Sequence, residues 1–374
     1  MSAYALLARA WGAEVRGWDR VRTPYLEHLE GIDVEIADDP PVPPDGWEVY
    51  VSTAFADRVE GNSRAELLAE LVSLRDAIVV AGAHGKTTTA GMIAFCLARL
   101  GRDPAWLIGA EIPQLGGNAG TGGGWLVVEG DESDRTIAAL RPKVAVVTNV
   151  DLDHHSTFGS KAEVEQLFEE WAAQVPEVVR GEELAPYAGA LALPGEHNRR
   201  NAACAAAVLE RIGLTRDDVA PVLAEFTGAG RRLELRGEAG GVEVYDDYAH
   251  HPAELEATLA AARDGGRLLV LFQPHLYSRT RHLSFELARA LAAADAVAVT
   301  EVYAARERPV ANVSGKLVVD ALADRRPGMP LAWTPECEDG ARFLVQHVRR
   351  GDRVLTIGAG DVDRVTPRLL ELLA

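Results

Sequence analysis

Cysteine is scarce in this chain, with only Cys96, Cys204 and Cys337 among 374 residues. They lie far apart and show no metal spacing, and they suit a reducing compartment in which thiols pack as small apolar groups. Positive charge is also in deficit: 38 Lys and Arg face 56 Asp and Glu, a formal net charge of −18. Nucleic acid and anionic membrane both select a basic face, so neither is expected as a partner. No apolar run reaches the ~20 residues needed to span a bilayer. The opening stretch Met1-Ser-Ala-Tyr-Ala-Leu-Leu-Ala-Arg9 has neither basic leader nor cleavage site. A cytoplasmic location is therefore expected. What remains, 48% apolar and 25% charged residues, is ordinary for a globular chain long enough for two or three domains.

The most informative stretch runs from Ile78 to Thr89, Ile-Val-Val-Ala-Gly-Ala-His-Gly-Lys-Thr-Thr-Thr. A β-branched run reads as a buried strand, Gly82 and Gly85 bracket a tight turn, and the segment after Thr89 reads as a helix. Strand, Gly-rich turn, Lys-Thr and helix together make a phosphate cradle. Backbone N–H groups at the helix start meet phosphate oxygens, Lys86 neutralises charge, and the Thr87 hydroxyl ligates Mg²⁺. The spacing is shorter than the usual phosphate loop, because Val80 stands where its first glycine would be. ATP or GTP is the expected ligand. Lys86, read as a surface lysine, is expected to be removable without loss of the fold.

Strands and helices alternate along the rest of the chain, an α/β pattern with a parallel sheet. A helix at the start runs into a strand ending at Asp19; Trp47–Ser52 reads as a strand and Arg64–Leu74 as a helix. The Gly-rich stretch 116–124 is expected to be a flexible loop. The strand after it delivers Glu129-Gly-Asp-Glu-Ser-Asp134, and the strand Val144–Asn149 delivers Asp151-Leu-Asp-His-His155. Carboxylates and imidazoles at two strand ends beside a Lys-Thr loop suit Mg²⁺. His197, Asn198 and Asn201 are expected in the first turn of an Ala-rich helix over 201–212, as caps or as contacts to a base or ribose. Thr227–Arg232 reads as a hinge, whose paired arginines either reach a phosphate or lie on the surface. A third unit follows, with strands Val242–Asp247, Arg267–Phe272, Ala296–Thr300 and Arg353–Gly358. It carries Tyr248, His250, His275, Arg279 and Arg281 after strand ends, where such sheets bind ligands.

Taken together, Gly82–Thr89, Glu129–Asp134, Thr148–His154, Pro194–Asn198, Arg231-Arg232, Asp246–Pro252 and Phe272–Arg279 resemble the Mur ligases, most closely the branch that adds L-alanine to UDP-N-acetylmuramate. The segments fall in family order over nearly the whole chain. The resemblance implies three domains: residues 1–76, a truncated Rossmann-like domain for the UDP-sugar; 77–232, a P-loop ATPase-like domain for ATP and Mg²⁺; and 233–374, a Rossmann-like domain for the amino acid. It also implies γ-phosphoryl transfer to a substrate carboxylate, then attack of an amine on the acyl phosphate, in peptidoglycan synthesis.

By position, Gly82, His84, Gly85, Lys86, Thr87 and Thr88 would cradle the phosphates. Thr87, Glu129 and His154 would ligate Mg²⁺. His197, Asn198 and Asn201 would contact the nucleoside, and Arg232 a phosphate. Asp19, Ser52 and Thr53 would touch the UDP-sugar, while Tyr248, His250, His275 and Arg279 line the amino-acid site. Of these, Lys86, His250, His275 and Arg279 are the residues expected to act on the reacting groups.

Departures from the family pattern are Ala83 for Thr in the loop, Leu276 for Arg beside His275, and a shortened segment between Val179 and Leu191. The opening strand and Gly-rich turn of the family are expected to be missing before Met1, which would weaken UDP-sugar binding. Two alternatives stay open: a related ligase for a recycled peptide or another amine, and an ATP-binding relative without ligase activity.

Overall fold

Strands and helices alternate from end to end in the computed structural model, which describes every residue except 24, 25, 27, 28, 30, 153–156, 264, 265 and 306. The chain divides into two compact units. One comprises Met1–Leu193 with Asn198–Gly228, the other Pro194–His197 with Ala229–Ala374.

The first unit begins with α1 (Ser2–Ala10), β1 (Arg16–Asp19), β2 (Asp33–Ile36), β3 (Tyr50–Val51), β4 (Asn62–Ser63) and α2 (Arg64–Ser73). β1 pairs with β2 and β3 with β4, in two separate parallel ribbons. The strand expected over Trp47–Ser52 is thus only two residues long. α2 starts at a capping box in which Ser63 and Glu66 satisfy each other's backbone N–H groups.

A six-stranded sheet follows, built from β5 (Ala77–Ala81), β6 (Ala105–Ile112), β7 (Gly117–Thr121), β8 (Leu126–Glu129), β9 (Val144–Val147) and β10 (Glu177–Arg180). Its order is β10-β9-β5-β8-β6-β7. All neighbours are parallel except β6 and β7. The helices that follow in this unit are α3 (Lys86–Arg99), α4 (Lys161–Ala172), α5 (Glu196–Arg211, of which Glu196 and His197 cluster with the second unit) and α6 (Arg216–Leu223). β5 is central and buried throughout, as its apolar run demands for a strand covered on both faces.

The flexible loop expected over 116–124 is instead mostly strand. β7 pairs antiparallel with β6, Trp106 opposite Gly120. A Cβ on Gly120 would meet the Trp106 ring at 2.2 Å, so the indole packs over bare backbone. Such a strand carries no alternating apolar pattern for sequence reading to find. The Ala-rich helix also starts earlier than expected, at Glu196. Asn198 and Asn201 therefore sit inside α5 rather than capping it.

The second unit holds β11 (Glu234–Ala239), β12 (Val242–Asp247), α7 (Pro252–Ala262), β13 (Leu268–Phe272), α8 (Tyr277–Leu291), β14 (Ala296–Val299), α9 (Lys316–Arg325), β15 (Leu331–Trp333), α10 (Cys337–Val345), β16 (Arg353–Ile357) and α11 (Thr366–Leu373). Its sheet order is β11-β12-β16-β13-β14-β15, with only β11 antiparallel. Alternate residues of β13 feed two cores. Leu268, Val270 and Phe272 pack with Leu255, Leu259 and Leu287 of α7 and α8, while Leu269 and Leu271 pack with Ala341, Leu344 and Leu369 of α10 and α11. Helices on both faces of a largely parallel sheet make this a doubly wound α/β unit, and they place the ends of β12, β13 and β14 where ligands bind.

Candidate functional site

In the first unit, β5 hands the chain to α3 through Gly82 (φ +132°) and Gly85 (φ +82°). A Cβ on Gly82 would lie 2.2 Å from Thr148 Oγ1, and one on Gly85 would lie 2.2 Å from Asn201 Oδ1. Both positions combine left-handed backbone with close approach, so only glycine fits. The end of β9 holds the loop from behind. Thr148 Oγ1 donates to His84 O at 2.6 Å, and Asn149 Nδ2 donates to the same carbonyl at 2.9 Å. The Asn149 side-chain oxygen accepts the His84 N–H at 3.0 Å, and its backbone oxygen accepts that of Ala83 at 3.2 Å. Among the described residues, no side chain caps the N-terminus of α3. The N–H groups of its first turn, including those of Thr87 and Thr88, form an anion-binding end.

Two acidic residues, one at the end of β5's neighbour β8 and one just after it, close the site. Thr87 Oγ1 donates to Glu129 Oε2 at 3.1 Å, and the Gly109 N–H donates to Glu129 Oε1 at 2.6 Å. Lys86 Nζ lies 3.1 and 3.2 Å from the two oxygens of Glu132, which is only 2% exposed. The same ammonium donates to Gly82 O at 2.5 Å. Burial pulls the Lys86 pKa down, but the carboxylates of Glu132, Asp131 and Glu129 outweigh it and the net shift is upward. The surface lysine expected from the sequence is in fact half-buried and paired with a buried carboxylate.

The donors present suit the groups expected here. A hydroxyl and a carboxylate oxygen in contact are hard ligands, and Mg²⁺ completes such a site with waters and phosphate oxygens. Among the described residues, no cluster of three or more His, Cys, Asp and Glu side chains could hold a metal by itself. His154, the third expected ligand, lies outside the described residues. Asn201 Nδ2 donates to Asn198 Oδ1 at 3.4 Å, and both are buried. Asp19, by contrast, caps Arg20 N–H at the end of β1, while Ser52 and Thr53 follow β3 in the other ribbon.

The second unit gathers a different set. His250 Nδ1 donates to Tyr248 O at 2.9 Å, and Glu254 Oε2 lies 3.4 Å from the same nitrogen. The His250 ring meets the edges of Tyr248 and His275, and His275 stacks on Tyr303 with centroids 5.9 Å apart. Arg279, on the first turn of α8, places Nη1 3.0 Å from His275 Nδ1. Guanidinium only donates, so Nδ1 of His275 accepts and its proton sits on Nε2. Arg231 and Arg232 divide their work. Arg231 donates to Asp246, Gly358 O and Gly360 O and so serves the fold. Arg232 keeps a looser set, 3.9 Å from Glu254 Oε1 and over the Tyr248 ring. His197 also falls in this unit; burial and the Arg232 charge lower its pKa, which keeps the ring neutral at pH 7.

Sequence reading missed Asn149, Glu132, Glu254 and Tyr303. The first two lie within or beside segments quoted for their motifs, and all four follow strand ends or start a helix turn, but burial and pairing are tertiary facts.

Residues 80–179 match the Mur ligase middle domain, and residues 231–360 match the Mur ligase, glutamate ligase domain. The UDP-N-acetylmuramate–L-alanine ligase of Kineococcus radiotolerans is 40% identical over 446 aligned positions, covering 100% of this chain and 94% of that protein. Those positions outnumber the 374 residues here, so that relative carries segments this chain omits. The ligase of the same name from Thermobifida fusca is 36% identical, covering 100% and 94%. The crystal structure of the Thermotoga maritima UDP-N-acetylmuramate–alanine ligase superposes with a TM-score of 0.78 at 25% identity, over 99% of this chain and 96% of that one. With relatives this similar over nearly their full length, the chain belongs to the UDP-N-acetylmuramate–L-alanine ligases of the Mur ligase family.

Proposed function

We propose that this chain joins L-alanine to UDP-N-acetylmuramate with cleavage of ATP, as an enzyme of peptidoglycan synthesis acting in cell-wall biogenesis, cell shape and division. The observation that carries this reading is the uncapped start of α3 behind two obligatory glycines, with Thr87 and Glu129 in contact beside it. A carboxylate oxygen of the sugar attacks the γ-phosphorus and the bond to ADP breaks. The amine nitrogen of alanine then forms the amide bond, phosphate leaves, and one amine proton is lost. Catalysis of such steps is positioning plus charge stabilisation.

Each residue set has a part. Gly82, His84, Gly85, Lys86, Thr87 and Thr88 cradle the phosphates, and Asn198 and Asn201 face the nucleoside with His197. Thr87 and Glu129, with His154, hold Mg²⁺, which when bound screens the charge on the phosphates. Arg232 serves a phosphate. Asp19, Ser52 and Thr53 belong to the UDP-sugar site. In the second unit, His250, whose Nδ1 donates to Tyr248 O, takes a proton from the alanine amine through Nε2. The Nε2–H of His275 donates to the alanine carboxylate beside Arg279. Domains over 1–76, 77–232 and 233–374 divide these tasks. No helix among the described residues is long and apolar enough to cross a membrane.

The test is phosphate release from Mg·ATP with UDP-N-acetylmuramate and a panel of amino acids. Release is expected only when both the sugar and L-alanine are present. Release with a different amine, or none with any, overturns the assignment.

A further inference from the structure

The ammonium of Lys86 has three N–H groups, and its own loop and Glu132 take them. Gly82 O lies at 2.5 Å, Ala83 O at 3.4 Å, and Glu132 offers both carboxylate oxygens at 3.1 and 3.2 Å. Glu132 is not a loose surface acid: its side chain is 3% exposed and that of Lys86 20%. Nothing in the steps proposed above uses Glu132. Asp131, its neighbour, accepts the Ser133 N–H at 2.8 Å.

From this geometry we infer that Glu132 is a stand-in anion for the nucleotide: it occupies the ammonium of Lys86 and must be exchanged for phosphate when ATP binds. The inference rests on the phosphate-loop reading and adds a regulation of that site. Charge-assisted bonds are about twice as strong as neutral ones, and a buried carboxylate that loses its cation faces an uncompensated charge. Binding therefore carries an opposing term, set by Glu132, in addition to the gain from phosphate contacts. By linkage, any ligand that draws Lys86 away from Glu132 is weakened by the strength of that pair. Glu132 is thus a positioning residue acting through Lys86. It keeps the side chain pre-placed at the loop mouth and keeps nucleotide affinity modest.

The experiment is calorimetric titration of the full chain with a non-hydrolysable ATP analogue and Mg²⁺. It compares the wild type, Glu132→Gln, Lys86→Met and the double variant. Glu132→Gln retains shape and an accepting oxygen but loses the charge, and is expected to bind about 5- to 20-fold tighter. In the Lys86→Met background, the same change is expected to alter affinity by less than about 2-fold. That contrast separates exchange at Lys86 from general repulsion between a carboxylate and a triphosphate, which both backgrounds share. Glu132→Asp withdraws the carboxylate while keeping its charge, and tightening in the same direction is expected there too. Affinity that is unchanged or weaker in Glu132→Gln, or equal tightening in both backgrounds, overturns the inference while the phosphate-loop reading stands. A wild type that binds no nucleotide takes both down together.

Discussion

Arg279 Nη1 lies 3.0 Å from His275 Nδ1, and Arg279 is 4% exposed. A buried guanidinium on that nitrogen locks the imidazole as a neutral ring with its proton on Nε2. His275 is then a hydrogen-bond donor and not a base. Arg279→Ala should raise KM for the amino acid by ten-fold or more and leave KM for ATP within about 3-fold, since the loss unlocks the donor beside the substrate carboxylate. His275→Gln, which keeps an N–H near the Nε2 position, should retain more activity than His275→Ala. Initial-rate kinetics with each substrate varied in turn decide it. Equal rises in both KM values would make Arg279 a general support of α8.

Lys86 supplies a second test, because its partner is buried. Lys86→Ala abolishes ATP turnover on the phosphate-loop reading, and it also strands the Glu132 carboxylate without a cation. Breaking a buried pair from one side costs about 3–5 kcal/mol, so with Lys86 still partly solvated a loss of about 2–4 kcal/mol is expected. Urea unfolding measures it. The double variant Lys86→Ala with Glu132→Gln should recover most of the stability while remaining inactive. Stability unchanged in the single variant would mean that Glu132 finds solvent once Lys86 has gone.

Much of this architecture was legible because it is written in local chemistry. The apolar run 77–81, then Gly82, Gly85 and Lys86-Thr87, requires a strand, a left-handed turn and a helix start whatever surrounds them. β12, β13, β14 and β16 were likewise legible as buried strands. Among the strands left unread, β7, β10, β11 and β15 lie at sheet edges, where one side lacks a partner and the apolar signal thins, whereas β6 is internal and β2 and β4 belong to the two short ribbons. β7 is the extreme case, with Gly117 and Gly120 in a stretch whose packing is supplied by Trp106 from the next strand. The side chains of the site were legible as types but not as pairs. Glu132 sits in a run of acids, and only the fold separates the one that holds Lys86 from Glu129, which meets Thr87. The Arg231-Arg232 pair is the same kind of case: both lie over the Tyr248 ring, but only Arg231 also donates to Asp246 and to the carbonyls of Gly358 and Gly360.

Gly85 is tested by steric addition. Its φ of +82° places a left-handed residue at the helix start, and an added Cβ would lie 2.2 Å from Asn201 Oδ1. Left-handed backbone alone costs a non-glycine residue about 1–2 kcal/mol. Gly85→Ala should therefore weaken nucleotide binding by more than about ten-fold, with helix content by circular dichroism preserved. Titration with the nucleotide analogue measures the affinity. Undiminished binding would show that the loop's conformation does not set the phosphate site.

The last prediction concerns pH. Asp247 is buried at the end of β12, where its carboxylate accepts from Leu233 N at 2.7 Å, Ala249 N at 2.8 Å and Thr258 Oγ1 at 3.0 Å. Burial raises its pKa, the Arg232 charge and these donors lower it, and burial wins, leaving it pushed up from 3.8 to about 6. A folded-state pKa above the unfolded value means the native protein binds the extra proton between those two pH values. The resulting contribution to stability is fully present below pH 3.8 and lost as pH rises through 6. A shift of that size is worth at most about 3 kcal/mol. Asp247→Asn cannot titrate, and its amide also sets an N–H against one of the three donors, so it should be less stable than the wild type throughout. The gap between the two proteins should be widest near pH 4 and narrow by up to about 3 kcal/mol on going to pH 7. Urea unfolding of both proteins across that range reads the gap directly. A gap that widened with pH would mean that the donors and Arg232 outweigh burial, and that Asp247 is held ionised.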